Sequence, residues 1–143
     1  LAYSRTKKQV EGVEYVDLDM LLRESDIVSL HVPQTPATIG MIGQRELSLM
    51  KPTAVLINTA RGPVVDSKAL AAALHSGEIA GAGVDVFETE PPIAEDHPLF
   101  SAPNVVATPH VAFATAESMV KRAGIVMENI GCYLNGTPRN VIC

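Results

Sequence analysis

Two stretches decide the fold: Ala54-Val55-Leu56-Ile57-Asn58-Thr59-Ala60 and, after a segment of helical period, Gly81-Ala82-Gly83-Val84-Asp85-Val86-Phe87. Each is a short apolar run bounded by turn residues, the pattern of a buried strand. Between them Asp66 stands where a helix N-cap accepts backbone N–H groups. Leu70 and Leu74 then recur at helical spacing, and Gly77 sits where a left-handed C-terminal cap is needed. A strand, a helix and a strand in so short a span form a unit that feeds a parallel sheet, so the class is α/β.

The same alternation extends in both directions. Upstream, residues 1–3 read as the end of a strand and residues 13–16 as a short strand, and Asp17 caps a helix with Leu18, Leu21 and Leu22 on one face. Residues 27–32 read as a buried strand closed by Pro33. A turn at Gln34-Thr35-Pro36 leads to a helix over 44–50, which Lys51-Pro52 ends. Downstream, the prolines from Pro91 to Pro98 predict a loop of restricted backbone freedom, and residues 105–108 return to the sheet. A final helix over 115–134 is apolar at Met119, Val120, Ala123, Val126, Met127 and Ile130, and Gly136 ends it. Residues 137–143 are expected to cross toward something outside the domain.

The chain has 143 residues, enough for one domain with a core of its own. Hydrophobic residues make up 47% and charged residues 19%, which excludes global disorder. The 11 basic against 16 acidic residues give a net charge of −5 with no basic run, so no nucleic-acid partner is expected. No stretch approaches the roughly 18 unbroken apolar residues of a membrane span, and no leader pattern opens the chain, so a cytoplasmic location with no membrane partner is the expectation. Cys132 and Cys143 match no metal-ligand spacing, which leaves reduced thiols and no metal site. The chain opens on Leu1 rather than Met, within an apolar Leu1-Ala2-Tyr3, and so reads as part of a longer protein.

In a parallel α/β sheet, ligands bind in the crevice beyond the carboxyl ends of the strands. Arg61 directly follows the strand ending at Ala60, Glu90 lies just past Phe87, and His110 follows Thr108-Pro109. A guanidinium is a planar fork that matches a carboxylate, and a carboxylate beside an imidazole orients the ring and favours its protonated form. Together they suit a site that grips an acid and moves a proton. Singly, each also reads as a solvated loop residue or a structural hydrogen bonder, and spacing alone leaves several reaction classes open.

Asn58-Thr59-Ala60-Arg61-Gly62, Gly81 through Phe87 with Glu90-Pro91, and Thr108-Pro109-His110 resemble, in order and spacing, the signature blocks of the D-isomer-specific 2-hydroxyacid dehydrogenases. Ser25-Asp26-Ile27-Val28 through His31-Val32-Pro33, with Thr35-Pro36, is similar to the strand and loop at the middle of that family's cofactor site. Several ordered blocks make a far more specific signal than one motif.

The resemblance implies hydride transfer between NAD(P)H and C2 of a small 2-oxo or 2-hydroxy acid, with the catalytic roles on Arg61, Glu90 and His110. Arg61 binds the substrate carboxylate and His110 moves the proton, held by Glu90. Cofactor contacts are implied for Ser4, Arg5, His31, Val32, Pro33, Thr38, Thr59, Ala60 and Asp85, and Phe113 suggests an apolar wall near the substrate. Residues 1–113 then form a partial Rossmann-like, doubly wound parallel domain lacking its first strand and its glycine-rich turn, since no G-x-G-x-x-G occurs. Residues 114–143 form a helix and tail returning toward an absent substrate domain, and a homodimer is the family's usual assembly. Ser4-Arg5-Thr6 has no carboxylate where NAD users commonly place one for the ribose 2′-hydroxyl. Arg5 can pair with a 2′-phosphate instead, which favours NADP over NAD; its alternative is stacking on adenine. The competing functions are a dinucleotide-sensing scaffold without catalysis and an inactive truncated product.

Overall fold

The structure is a computed structural model that describes residues 1–89 and 92–142. The chain divides into two compact units, Leu1–His110 and Val111–Cys143.

In the first unit, α1 (Leu18–Glu24), β1 (Ile27–Leu30), α2 (Gln44–Leu49), β2 (Val55–Asn58), α3 (Ser67–Ser76), β3 (Gly81–Val84), α4 (Pro98–Ser101) and β4 (Val105–Ala107) follow one another, with a 3-10 turn over Gly62–Val64. The four strands lie in the order β1-β2-β3-β4 and every pair is parallel. Parallel neighbours need a crossover between them, and the intervening helices supply it. The α/β reading with a parallel sheet therefore holds.

The local signals that start and stop the helices work as the sequence predicts. Asp17 accepts from the Met20 amide at 2.8 Å, and Asp66 accepts from the Lys68 and Ala69 amides at 3.0 and 3.1 Å. A cap of this kind contributes about 1 kcal/mol. Gly77 closes α3 at φ 73°, a left-handed conformation that only glycine adopts without strain.

The core is built from alternate strand positions. Val28, Leu30, Leu56, Ala82 and Val84 are buried, and the helices add Leu22, Leu47, Leu70, Leu74 and Leu99 to the same cluster. Burying a Leu side chain is worth about 1.5–3 kcal/mol, so this face carries the stability of the first unit. Ile27 and Val106, in the alternate positions, are exposed.

The strands are shorter than the apolar runs that encode them: 27–30, 55–58, 81–84 and 105–107 against the expected 27–32, 54–60, 81–87 and 105–108. The residues beyond each ladder become the loops that carry the chemistry. The predicted strand over 13–16 is reduced to one parallel bridge, Tyr15 to Ala2. A cavity of about 360 Å³, lined by Leu1 to Ser4 on one side and Val28 to Val32 on the other, lies between Ala2 and β1. The short α4 falls where a loop is expected; Pro98 sits in its first turn, where a missing N–H costs nothing.

The second unit holds α5 (Ala116–Leu134), capped by Thr115 through a 3.1 Å bond from the Ser118 amide. Its apolar Val120, Met127, Tyr133 and Leu134 are exposed, and Arg122 stacks 5.3 Å over the Phe113 ring. Among the described residues no helix is long and apolar enough to cross a membrane, and no cluster of three potential ligands could hold a metal ion.

Candidate active site

The carboxyl ends of the strands end level. Asn58 pairs with Val84, and Val84 with Ala107, so the segments leaving β2, β3 and β4 emerge side by side. At about 4.8 Å per strand, Arg61 and His110 leave strands about 10 Å apart, with Asp85 from the strand between them.

Asn58 shapes the turn that presents Arg61. Its side chain is only 2% exposed. Its Oδ1 accepts from the Ala60 amide at 3.1 Å and its Nδ2 donates to the Arg61 carbonyl at 3.1 Å. This is an Asx-turn: the amide side chain satisfies backbone groups the ladder has released. The Arg61 guanidinium donates to the Ala60 carbonyl at 2.6 Å, which orients it along its own loop. The sequence offered a signal for this role of Asn58, a polar residue closing an apolar strand just before a loop, which the motif reading passed over.

On the other side, Asp85 is 3% exposed and accepts from the Thr108 hydroxyl at 2.5 Å, joining the ends of β3 and β4. The His110 amide donates to the Asp85 carbonyl at 2.8 Å and to the Thr108 carbonyl at 3.1 Å. His110 takes φ 58°, in the left-handed region. A side chain there costs on the order of 1–2 kcal/mol, held in place by these bonds, and such outliers cluster at functional sites.

His31, Val32, Pro33, Thr59, Ala60 and Arg61 line one cavity of about 560 Å³ with Gln34, so six of the predicted site residues converge on it; His110 is not among its lining. His31 is oriented by a 2.9 Å bond between its Nε2 and the Ser29 hydroxyl. Ser4, Arg5, Val32, Pro33 and Thr38 line a second cavity of about 390 Å³. Val32 and Pro33 are common to both, which makes the two cavities neighbours along one wall. The Thr38 hydroxyl is spent on its own turn, donating to the Pro33 carbonyl at 2.7 Å. Thr38 therefore shapes this wall. Glu90 lies outside the described residues, and Phe113 lies in the second unit.

Residues 1–112 match the family model of the D-isomer specific 2-hydroxyacid dehydrogenase, NAD binding domain. The chain belongs to this family.

Among D-isomer-specific 2-hydroxyacid dehydrogenase relatives, the chain is 51% identical over 145 residues to a glyoxylate reductase of Thermococcus litoralis, covering 98% of this chain and 43% of that protein. Two of the solved structures similar to it were determined with a nicotinamide cofactor bound. One is an acyclic imino acid reductase in complex with NADPH and D-Arg, with a TM-score of 0.87 and 40% identity over 99% of this chain and 45% of the other. The second is a D-isomer specific 2-hydroxyacid dehydrogenase from Lactobacillus delbrueckii ssp. bulgaricus in its NAD complexed form, with a TM-score of 0.85 and 37% identity over 99% of this chain and 47% of the other. The chain thus spans less than half the length of these relatives. The family's NAD-binding part agrees with the resemblance on which the sequence reading rests.

Proposed function

We propose that the protein carrying this chain is an NADP-dependent, D-specific reductase of a small 2-oxo acid such as glyoxylate or hydroxypyruvate. The observation that carries this reading is the level parallel register, with Arg61 leaving β2 and the hydrogen-bonded Asp85, Thr108 and His110 leaving β3 and β4. The 51% identity to a glyoxylate reductase supports the substrate class.

The residues present fit a dinucleotide. Two neighbouring cavities of about 560 and 390 Å³ match its extended shape. Ser4, Arg5 and Thr6 are among the residues that line the smaller, and their side-chain types are donors suited to a phosphate. Residues 1–113 supply the dinucleotide-binding part and 114–143 a helix and tail. His31, Val32, Pro33 and Thr38 border the adenosine and pyrophosphate side, while Thr59, Ala60 and Asp85 border the nicotinamide. The bound cofactor supplies or accepts the hydride at C2 of the substrate.

The chain's own groups do the rest. The Arg61 fork takes the substrate carboxylate and polarises the adjacent carbonyl, drawing charge toward its oxygen. His110 gives a proton to that oxygen in reduction and takes it back in oxidation. Glu90 orients the imidazole and favours its cationic form.

Arg61→Lys tests the clamp, because it keeps the charge and loses the fork. Loss of one charge-assisted bond, about 1.5–3 kcal/mol, raises KM for the 2-oxo acid about 10–100-fold in steady-state kinetics on the whole protein. An unchanged KM contradicts carboxylate binding by Arg61. Cofactor choice is read separately by Arg5→Ala: kcat/KM for NADPH falls about 10–100-fold while that for NADH stays level. An equal fall for both cofactors removes Arg5 from a 2′-phosphate site.

A further inference from the structure

Arg61 stands on the connection that runs from β2 to α3, residues 59–66, and the peptide joining Phe87 to Glu88 lies directly on that connection. Gly62 marks the contact. A Cβ built on it would fall 1.9 Å from the Phe87 carbonyl carbon and 2.5 Å from the Glu88 nitrogen, so the two main chains touch with no side chain between them. Past Gly62 the connection is fixed on other neighbours. The Pro63 and Val64 carbonyls accept from the Gly40 and Ile42 amides at 2.8 and 3.1 Å, and the Asp66 amide donates to the Ile42 carbonyl at 2.9 Å.

Both side chains of the Phe87–Glu88 peptide are anchored, and His97 touches each. The Phe87 ring meets the imidazole edge-on at 5.1 Å and Phe100 at 5.8 Å between centroids. The Glu88 Oε2 lies 3.0 Å from the His97 Nε2. His97 Nδ1 accepts from the Leu99 amide at 3.4 Å, so Nε2 carries the hydrogen that it donates to Glu88. Leu99 in turn is buried in the core. The Ser67 hydroxyl, buried at the start of α3, also donates to the Glu88 carboxylate. Ser67 follows the far end of the connection that carries Arg61, so Glu88 is joined to this stretch at both ends, by backbone at Gly62 and by carboxylate at Ser67. Burial works most strongly on the Glu88 carboxylate and raises its pKa, but the bonds from Ser67 and His97 outweigh it and hold the group below the ordinary carboxylate value.

We propose that Glu88 and His97 are a positioning pair for Arg61: bonded to each other and to α3 and α4, they hold the Phe87–Glu88 peptide on Gly62 and so set the direction in which the guanidinium meets the substrate carboxylate. This rests on the proposed role of Arg61 as the carboxylate clamp. A half-exposed pair contributes little to global stability. Its effect falls on the clamp, because a planar fork needs the right direction and small displacements of such a group are costly. The cofactor side is spared, since Ala60 precedes Gly62 and its amide is held by the Asn58 side chain.

The test is a double-mutant cycle on the whole protein, read as KM for glyoxylate and KM for NADPH. His97→Ala raises the KM for glyoxylate about 10-fold and leaves that for NADPH unchanged. A histidine that only supported the fold would shift both together. His97→Gln loses the bond from Leu99 as alanine does, but its amide can still donate to Glu88, and it recovers most of the KM. In an Arg61→Lys background His97→Ala adds less than about 2-fold, because the fork it directs is already gone. Should His97→Ala fail to fold, Glu88→Ala, at a half-exposed position, is measured in its place and raises the KM for glyoxylate in the same way. A full additional rise in the Arg61→Lys background, or a KM for glyoxylate unchanged in both His97→Ala and Glu88→Ala, overturns the proposal. An unchanged KM in Arg61→Lys itself identifies the failure as that of the clamp, and the positioning role falls with it.

Discussion

Turnover of the whole protein falls by about 10²–10⁴ in His110→Gln, the usual worth of a positioned acid–base group. Glutamine has an amide that can hydrogen-bond to a substrate carbonyl, but it cannot give up and regain a proton near neutral pH. The variant therefore isolates proton transfer from substrate contact. Its structural cost is small. The bonds that hold position 110 run through the backbone, from its amide to the Asp85 and Thr108 carbonyls. The left-handed φ of 58° is a little less natural for glutamine than for histidine. A thermal melt and a cofactor titration, both expected close to the parent protein, separate that cost from the chemical one. A turnover within a factor of two of the parent would take His110 out of the proton-transfer step and leave the proposed mechanism without its acid.

The second large effect concerns a glycine with an ordinary backbone. Gly62 follows Arg61, and a Cβ built on it would lie 1.9 Å from both the carbonyl carbon and oxygen of Phe87 and 2.5 Å from the Glu88 nitrogen. These are main-chain atoms, so no rotamer change can relieve the overlap. One of the two loops must move. Overpacking typically costs about 1–3 kcal/mol even where side chains can adjust. Gly62→Ala is therefore expected to lose ~3 kcal/mol or more, a fall in Tm of about 10 °C for a domain of this size. Gly83 shows the contrast: a Cβ there meets only the end of the Ile57 side chain at 3.0 Å, which can give way. Because Gly62 sits beside Arg61 and packs on the segment leading to Glu88, its displacement also moves the proposed carboxylate clamp. A Gly62→Ala protein with a parental melting temperature would mean that the loops after β2 and β3 do not touch as described.

Much of this architecture was legible in local chemistry. Asp17, Asp66 and Thr115 cap helices because a short oxygen-bearing side chain satisfies amides two or three residues on, a rule needing no distant partner. Gly77 ends α3 for an equally local reason. The boundaries of the strands were less legible. The apolar runs at 27–32 and 81–87 continue past the ladders at Leu30 and Val84, since hydrophobicity marks burial while a strand ends where its neighbour stops pairing. Short α4 was hidden for a related reason. Its four residues depend on a histidine cap and a proline in the first turn, and are held by Leu99 in the core.

The candidate site divides in the same way. Placement just beyond strand ends picked out Arg61, Glu90 and His110, a fork, a carboxylate and an imidazole, while Asp85 entered only through the family resemblance. The Asx-turn of Asn58 is local and had its signal in a polar residue closing an apolar strand, whereas the bond from Thr108 to Asp85 was not visible, because it joins residues that only strand pairing brings together. Composition, period and caps thus determined the α/β class and the helices, since each depends on a residue and its near neighbours. Tertiary structure decided which strands pair, where their loops begin, and which backbones approach too closely for a Cβ. Those follow from contacts between segments far apart in the chain, whose formation depends on the folding of all of them.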